Sequence, residues 1–193
     1  MNKNSKKLLQ LVVIGLMAAI VFVTSKFLTI PIATIAGTPT RIHFGNVMCI
    51  LSGLLFGGLN GGLASGIGSG FVDLLDPIYL ASTPSTVINK FVMGFVAGKL
   101  SHAKGRNGKS FKRNIISAVL GQLSYIILYL LYTFFVMFAF YRNDIHTVLI
   151  VIVQKAVASS LNGIIAVIIA VPLAMALRKG LSNTRIYNTL LKN

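Results

Sequence analysis

Two aspartates close a glycine-rich apolar run in the middle of the chain, and they are two of its only three acidic residues. Asp73 and Asp76 end this run, His43 and Asn46 open the apolar run before it, and Lys90 lies in the run after it. A charged side chain within hydrocarbon costs roughly 2.5–3.5 kcal/mol, so such residues face partners or a water-filled cavity. This pattern predicts either a polar binding site or pairs of side chains that hold helices together.

The same residues do not form a catalytic or metal-binding pattern. The chain contains no glutamate, and its single cysteine, Cys49, lies in an apolar run, which is typical of a small buried side chain. The segment GIGSG around Ser69 is not followed by the Lys-Ser/Thr of a phosphate-binding loop, and it lacks the glycine two residues before the serine that an intramembrane protease would use. We therefore predict no catalytic residue, no metal site, no cofactor and no ATP hydrolysis by this chain.

The composition indicates an integral membrane protein. Of the 193 residues, 55% are hydrophobic and only 11% are charged, against about 25% charged in ordinary soluble domains. The mean hydropathy is +0.81. The net charge of +15 does not indicate a nucleic-acid-binding protein, because the basic residues lie in short linkers between long apolar runs.

Six apolar runs predict an all-α membrane protein, a single domain over residues 1–193 that crosses the lipid bilayer six times. The predicted spans cover about residues 8–30, 42–56, 63–75, 86–100, 114–141 and 147–177. Between them we expect a Pro- and Gly-containing loop at Pro31–Arg41, a tight turn at Gly57–Gly62, a loop at Asp76–Ser85 and a basic linker at His102–Arg113.

The distribution of lysine and arginine predicts the orientation of these spans. Three basic residues precede span one, six lie around the linker between spans four and five, and four follow span six. The loops on the opposite side hold only Arg41 and Arg142. By the positive-inside rule both termini are cytoplasmic, in a multi-pass protein of the cell membrane, with a bacterial plasma membrane favoured.

With this orientation the polar residues converge on the outer half of the membrane and predict a pocket that captures a small solute from outside. The predicted binding residues are Arg41, His43, Asn46, Asp73, Tyr79, Asn89, Lys90, Tyr129, Tyr132, Gln154 and Lys155. The alternative is that some of these residues only pair with one another and pin helices.

The segments RIHFGNVMCILSGLLFGGLNGGLASGIGSGFVDLL and STPSTVINKFVMGFVAGKL, with GLMAA in span one, resemble the S components of energy-coupling factor (ECF) vitamin transporters. The resemblance is closest to the branch of riboflavin, hydroxymethylpyrimidine and pyridoxine binders. It implies six helices and association with a transmembrane coupling protein and two cytoplasmic ATPases. It also implies substrate binding near the outer face by the first loop and spans four to six. Gly15, Ala18 and Ala19 match the family's small-residue docking patch, although their spacing alone fits internal packing equally well.

The substrate remains open between two kinds of vitamin. The branch resemblance favours hydroxymethylpyrimidine or pyridoxine, whose ring would suit the tyrosines of span five, with Asn89, Gln154 and Asp73 as hydrogen-bonding groups. Riboflavin is an alternative, and so is pantothenate, whose carboxylate would suit Lys90, Lys155 or Arg41. Outside this class, an autonomous carrier or channel would show an inverted repeat or polar groups at both faces. A structural membrane protein would use the polar cluster only to pin helices.

Overall fold

A computed structural model describes residues 3–32 and 39–182 of the chain, and this part is predominantly helical. It contains six α-helices: α1 (Lys3–Phe27), α2 (Gly45–Phe56), α3 (Gly58–Leu74), α4 (Thr83–His102), α5 (Phe111–Phe135) and α6 (Ile145–Leu181). A π-helical turn, Val136–Phe140, extends α5, and a short 3-10 turn, Leu80–Ser82, precedes α4. Each of the six predicted apolar spans therefore corresponds to a helix.

Within the described ranges, three helices are long and apolar enough to cross a membrane by themselves. They are Asn4–Phe27, Phe111–Phe140 and Ile145–Leu181. Helix α2 has only 12 residues, or about 18 Å at 1.5 Å per residue, against a hydrocarbon core of about 30 Å. The fold is that of a helical membrane protein, and the count of six spans stays a prediction.

Helix α2 is short because it lies inside the protein and not against lipid. Ten of its twelve residues are buried, and it packs against α3, α4 and α6. Its fully buried Ile50 and Leu54 form a core with Val21 of α1, Met93 of α4 and Val171 of α6. A helix enclosed by other helices can carry polar groups such as Asn46 without exposing them to hydrocarbon.

The predicted turn at Gly57–Gly62 is wrong, because only Gly57 forms the turn. Gly57 has φ +82°, a backbone conformation that favours glycine, and α3 begins at the next residue. The following glycines serve close helix packing instead. A Cβ atom placed on Gly58, Gly62 or Gly66 would lie 2.9 Å from a backbone carbonyl oxygen of α4. The glycines at this spacing therefore let α3 and α4 approach closely.

The first loop contains a β-hairpin, which corrects the all-α prediction. Strands β1 (Thr29–Ile32) and β2 (Thr40–His43) pair antiparallel, with Thr29 opposite His43 and Ile32 opposite Thr40. The β-branched residues in TIPI and TRIH favour extended strands. Pro31 is tolerated because this two-stranded ribbon has free edges. Residues 33–38, the tip of the predicted loop, lie outside the described residues.

The other two predicted loops are shorter than expected. Helix α4 begins at Thr83, with Pro84 in its first turn, where a missing N–H costs no hydrogen bond. Helix α5 begins at Phe111, so the basic linker covers only residues 103–110. Both corrections lengthen helices toward the ends of the molecule and leave the order of elements unchanged.

Candidate substrate-binding cavity

One end of the helix bundle encloses a polar cavity of about 880 Å³, including its open mouth. The hairpin strand β2, the end of α3, the start of α4, the second half of α5 and the first half of α6 surround it. Small-molecule sites are concave spaces in which a few polar groups are held in place. The cavity therefore has the character of a small-solute site.

Eight of the eleven predicted binding residues line this cavity, from one strand, four helices and the loop before α4. They are Arg41, His43, Asp73, Tyr79, Lys90, Tyr129, Tyr132 and Lys155.

Lys90 of α4 is buried in the floor of the cavity. Its ammonium group donates a hydrogen bond to Asn46 Oδ1 and lies 4.0 Å from the ring centroid of Tyr125. The side-chain amide of Asn46 in turn donates to Gln122 Oε1 over 3.3 Å. Asn46 thus orients Lys90 from below and does not line the cavity.

The aromatic wall of the cavity comes from α5. Tyr125 and Tyr129 stack with ring centroids 5.7 Å apart, and Lys155 Nζ lies 5.2 Å from the Tyr129 ring centroid. Tyr125, Tyr129 and Tyr132 follow one another at intervals of four and three residues, which places them on one face of the helix. A flat ring could stack on this face, and the adjacent ammonium groups favour electron-rich ligands.

The hairpin closes one side of the cavity and is fixed there by α6 and by the loop between α3 and α4. Asn162 of α6 donates to the Arg41 carbonyl oxygen over 2.7 Å and accepts from the His43 backbone N–H over 3.0 Å. Arg41 also pairs with Asp76 at 3.4 Å and stacks on Tyr79, with its Cζ 3.6 Å from the ring centroid. Arg41 therefore has a structural role in addition to lining the cavity.

Two residues of the cavity lining each carry a buried polar atom that has no hydrogen-bond partner among the described residues. The two atoms are Ser25 Oγ of α1 and His43 Nδ1 of β2. Asp73, in contrast, accepts a hydrogen bond of 2.5 Å from Thr86 Oγ1. Buried polar atoms are nearly always paired in proteins, so Ser25 and His43 are positions at which a bound solute could supply the missing partner.

Two further predicted residues, Asn89 and Gln154, also lie outside the cavity lining. The Asn89 side chain is buried and donates to Ser85 Oγ over 3.1 Å, and Ser85 itself lines the cavity. Gln154 is half-buried one residue before Lys155 on α6. One residue along a helix corresponds to a rotation of about 100°. A residue at the same depth in the membrane as the cavity can therefore still face away from it.

Sequence reasoning missed several lining residues, of which Asn162, Tyr125 and Ser25 matter most. Tyr125 continues the spacing of Tyr129 and Tyr132 by one helical turn, and this signal was available in the sequence. Asn162 is a lone amide in a long apolar run, and its two bonds to the hairpin depend on strands that the sequence did not predict.

The residues predicted to dock a partner lie on two faces of α1. Gly15 and Ala19 are exposed, and a Cβ atom on Gly15 would meet nothing within 4 Å. Ala18 is only 6% exposed and faces α3, where its carbonyl oxygen is in close contact with Gly68. Only Gly15 and Ala19 are therefore available to another protein.

The described residues contain no group of three or more His, Cys, Asp or Glu side chains that could hold a metal ion. The arrangement instead provides hydrogen-bond donors, acceptors, cations and aromatic faces around a space. These groups can bind a polar ring or an anion.

Comparisons with known proteins agree with this description. A family model described as "ECF-type riboflavin transporter, S component" matches residues 5–179. A solved structure reported as "Structure and mechanism of the S component of a bacterial ECF transporter" aligns with a TM-score of 0.59 and 20% sequence identity. The alignment covers 88% of this chain and 97% of that chain, so the two share a fold. A comparison with curated proteins finds no match.

Proposed function

This chain belongs to the family of ECF-type riboflavin transporter S components, and from that premise we propose that it captures one small water-soluble vitamin or vitamin precursor with high affinity. As an S component it is an integral membrane protein and the substrate-binding subunit of a transporter, not an enzyme. In the proposed role it delivers its substrate to an ATP-driven importer whose other subunits hydrolyse the ATP.

We place the cavity at the outer face of the membrane, with six spans and both termini in the cytoplasm. The support for this orientation is the charge asymmetry of the chain. The linker at the end opposite the cavity carries Lys104, Arg106 and Lys109, followed by Lys112 and Arg113 in the first turn of α5. Basic residues of short loops remain on the cytoplasmic side.

The observation that carries the proposal is the presence of unpartnered polar atoms in the cavity lining. Ser25 Oγ and His43 Nδ1 are buried without partners among the described residues, and both residues line the same cavity as Lys90 and Tyr129. Side chains that only pinned helices together would bond to one another. Two unpartnered polar groups in the lining favour a ligand as the missing partner.

For the substrate we favour a vitamin or precursor with a six-membered nitrogen ring, namely hydroxymethylpyrimidine or pyridoxine. The support for this choice is the pair of stacked rings of Tyr125 and Tyr129, on which a flat ring can lie, and the Asp73 carboxyl group in the same lining, which can bond to ring substituents. The alternatives are riboflavin and, because Arg41, Lys90 and Lys155 all line the cavity, a carboxylate such as pantothenate.

The test is mass spectrometry of the small molecules that co-purify with the detergent-solubilised protein, followed by titration of each vitamin found. A pyridine or pyrimidine vitamin bound tightly supports the full proposal. Pantothenate would keep the transport role and shift the main contacts to the cations. A protein that binds none of these compounds would contradict the proposal and favour the helix-pinning role of the polar residues.

We further propose that the exposed face of α1 docks the transmembrane coupling protein, which associates with two cytoplasmic ATPases. Gly15 and Ala19 form this face. Gly15→Leu should abolish vitamin uptake by the assembled transporter and leave vitamin binding unchanged, because a bulky side chain prevents close helix contact. Gly180→Leu is the matched control, since Gly180 also has open space around its Cβ position. Normal uptake with Gly15→Leu would contradict this docking surface.

A further inference from the structure

A second polar pocket lies at the other end of the molecule, between the C-terminus of α4 and the N-terminus of α5. Its volume is about 740 Å³, including its open mouth, and its cationic side chains are Arg106, Lys112 and Arg113. Lys112 lies 17 residues before Tyr129 on α5, or about 25 Å away at 1.5 Å per residue. This pocket is therefore separate from the substrate-binding cavity.

No acidic side chain lies beside the three cations. The chain has only three acidic residues. Asp73 and Asp76 lie at the cavity, and Asp144 caps the start of α6. Three basic side chains around one pocket, with no acidic side chain next to them in the described part of the chain, form a site for an external anion.

The backbone at the pocket also favours an anion. Helix α5 has 25 residues and starts at Phe111, after Ser110, whose hydroxyl accepts the Arg113 backbone N–H over 3.5 Å. The N–H groups and the dipole of a helix N-terminus attract negative charge. The Arg113 side chain donates through Nε to the Leu100 carbonyl oxygen over 2.9 Å, which fixes its guanidinium beside the pocket.

A buried hydroxyl group provides an independent indication of a ligand. Ser117 lines the pocket, its side chain is 0% exposed, and its Oγ has no hydrogen-bond partner in residues 3–32 and 39–182. A buried hydroxyl without a partner costs free energy. An oxygen atom of a bound anion would accept its hydrogen bond and remove this cost.

We propose that this pocket binds the phosphate headgroup of an anionic phospholipid. The cations and Ser117 would contact the phosphate, and the acyl chains would lie along Ile116 and Leu120, which are 51% and 42% exposed. These apolar side chains follow the cations on α5, a helix long enough to cross the bilayer. A free phosphate or an acidic protein segment would make no use of this apolar surface. In the proposed orientation the pocket faces the cytoplasmic leaflet, whose anionic lipids attract basic residues.

The test uses the full chain in neutral detergent, titrated with phosphatidylglycerol or phosphatidylcholine and followed by native mass spectrometry. We expect phosphatidylglycerol to bind at least tenfold more tightly. The double variant Arg106→Gln/Lys112→Gln should weaken its binding by about thirtyfold, because each basic residue near a lipid headgroup contributes a similar factor. The matched control is Lys104→Gln/Lys109→Gln, which removes the same charge from exposed residues of the same linker outside the pocket. An equal loss in the control would overturn the proposal in favour of general charge attraction.

Two further measurements identify the ligand. Ser117→Ala should weaken phosphatidylglycerol binding about threefold and leave the melting temperature unchanged, because the lost hydroxyl has no partner in the described part of the chain. A lower melting temperature would show that Ser117 Oγ bonds to another group of the protein, and this would contradict its role in the lipid site.

Inorganic phosphate at millimolar concentration should not displace the lipid. Displacement by phosphate would overturn the lipid as the ligand. Assembly with the ATPase-bearing complex is also measured in lipid-free detergent. If Arg106→Gln/Lys112→Gln abolishes this assembly, the pocket binds a protein partner and not a lipid.

Discussion

Both ends of this molecule bury a cation, but the two cations meet different surroundings. At the end opposite the cavity, Arg178 of α6 is 5% exposed and donates to the carbonyl oxygens of Leu54 and Leu55, over 2.5 and 3.0 Å. At the cavity end, Lys90 is 4% exposed and contacts one amide oxygen and one aromatic face beside an open space. Arg178 thus caps the C-terminus of α2, because it donates hydrogen bonds to carbonyl groups that have no partner within the helix. Lys90 leaves bonding capacity for a solute. The difference shows that burial of a charge does not by itself identify a binding residue, whereas the acceptors around it do.

The largest effect on stability is expected at Arg178. Arg178→Met should lower the free energy of unfolding by about 3 kcal/mol, because hydrogen bonds from a charged group to two buried carbonyl groups are lost. Thermal unfolding in detergent measures the loss. Lys179→Met, at the next and exposed residue, is the control and should have little effect.

The same variant also tests whether the two ends act independently. Arg178 lies 23 residues after Lys155 on α6, or about 35 Å away. The affinity of the folded Arg178→Met protein for its vitamin should therefore match that of the unchanged protein. A tenfold weaker affinity would contradict the independence of the two ends, because it would show that the end opposite the cavity affects vitamin binding.

Replacement of Lys90 should have the opposite pattern, with lost binding and a smaller loss of stability. Lys90→Met should weaken vitamin binding about 100-fold, the equivalent of one or two hydrogen bonds from a charged group. The melting temperature of the empty protein should fall less than that of Arg178→Met, because one buried oxygen atom, Asn46 Oδ1, loses this donor instead of two carbonyl oxygens. Lys99→Met, on the same helix near Phe95 and outside the cavity, is the control. Unchanged affinity in Lys90→Met would assign Lys90 a structural role like that of Arg178.

The sequence predicted ionisable residues of the cavity better than its uncharged ones. Asp73, Lys90 and Lys155 stand out because charges are rare in apolar runs, and depth along each run placed them together. The depth of a residue in the membrane does not give the direction in which its side chain leaves the helix. Asn89 was therefore assigned to the cavity, although it lies behind the lining residue Ser85 and donates a hydrogen bond to it. Asn162 carries no charge, and its role depends on its bonds to the hairpin.

The fold shows the same division between strong and ambiguous signals. Long apolar runs identified all six helices because burial in lipid or protein requires them. Glycines have two uses, and Gly58 and Gly62 were interpreted as part of a turn although they pack α3 against α4. The hairpin was missed because Pro31 and the nearby glycine indicate a loop when neighbouring chain segments are unknown.

A smaller effect is expected at Arg41, where the hairpin meets the loop before α4. Arg41→Lys should weaken vitamin binding about fivefold. Lysine keeps the charge but loses the planar group that stacks on Tyr79 while it pairs with Asp76. The faster dissociation of the vitamin, measured by stopped-flow fluorescence, would indicate a looser hairpin. Arg142→Lys, in the exposed connection between α5 and α6, is the control. An unchanged dissociation rate in Arg41→Lys would show that Asn162 holds the hairpin without help from Arg41.

The smallest effect is expected at Asp144, the acidic residue that lies away from the cavity. Its carboxylate accepts hydrogen bonds from the backbone N–H groups of His146 and Thr147 over 2.8 and 3.2 Å and thereby caps α6.

Hydrogen bonds from the Thr147 hydroxyl and backbone lower the pKa of the Asp144 carboxyl below its ordinary value of 3.8. The ionised form is therefore favoured in the folded protein. Its contribution is present above the unfolded pKa and is lost as the pH falls through the lower folded value. Asp144→Ala should reduce the melting temperature by about 2 °C at neutral pH, and the difference should shrink as the pH falls below about 4. Asp144→Asn, which also caps helices, should show no such pH dependence. Vitamin affinity should be unchanged in both variants, and a loss of affinity would extend the binding region from the cavity to the start of α6.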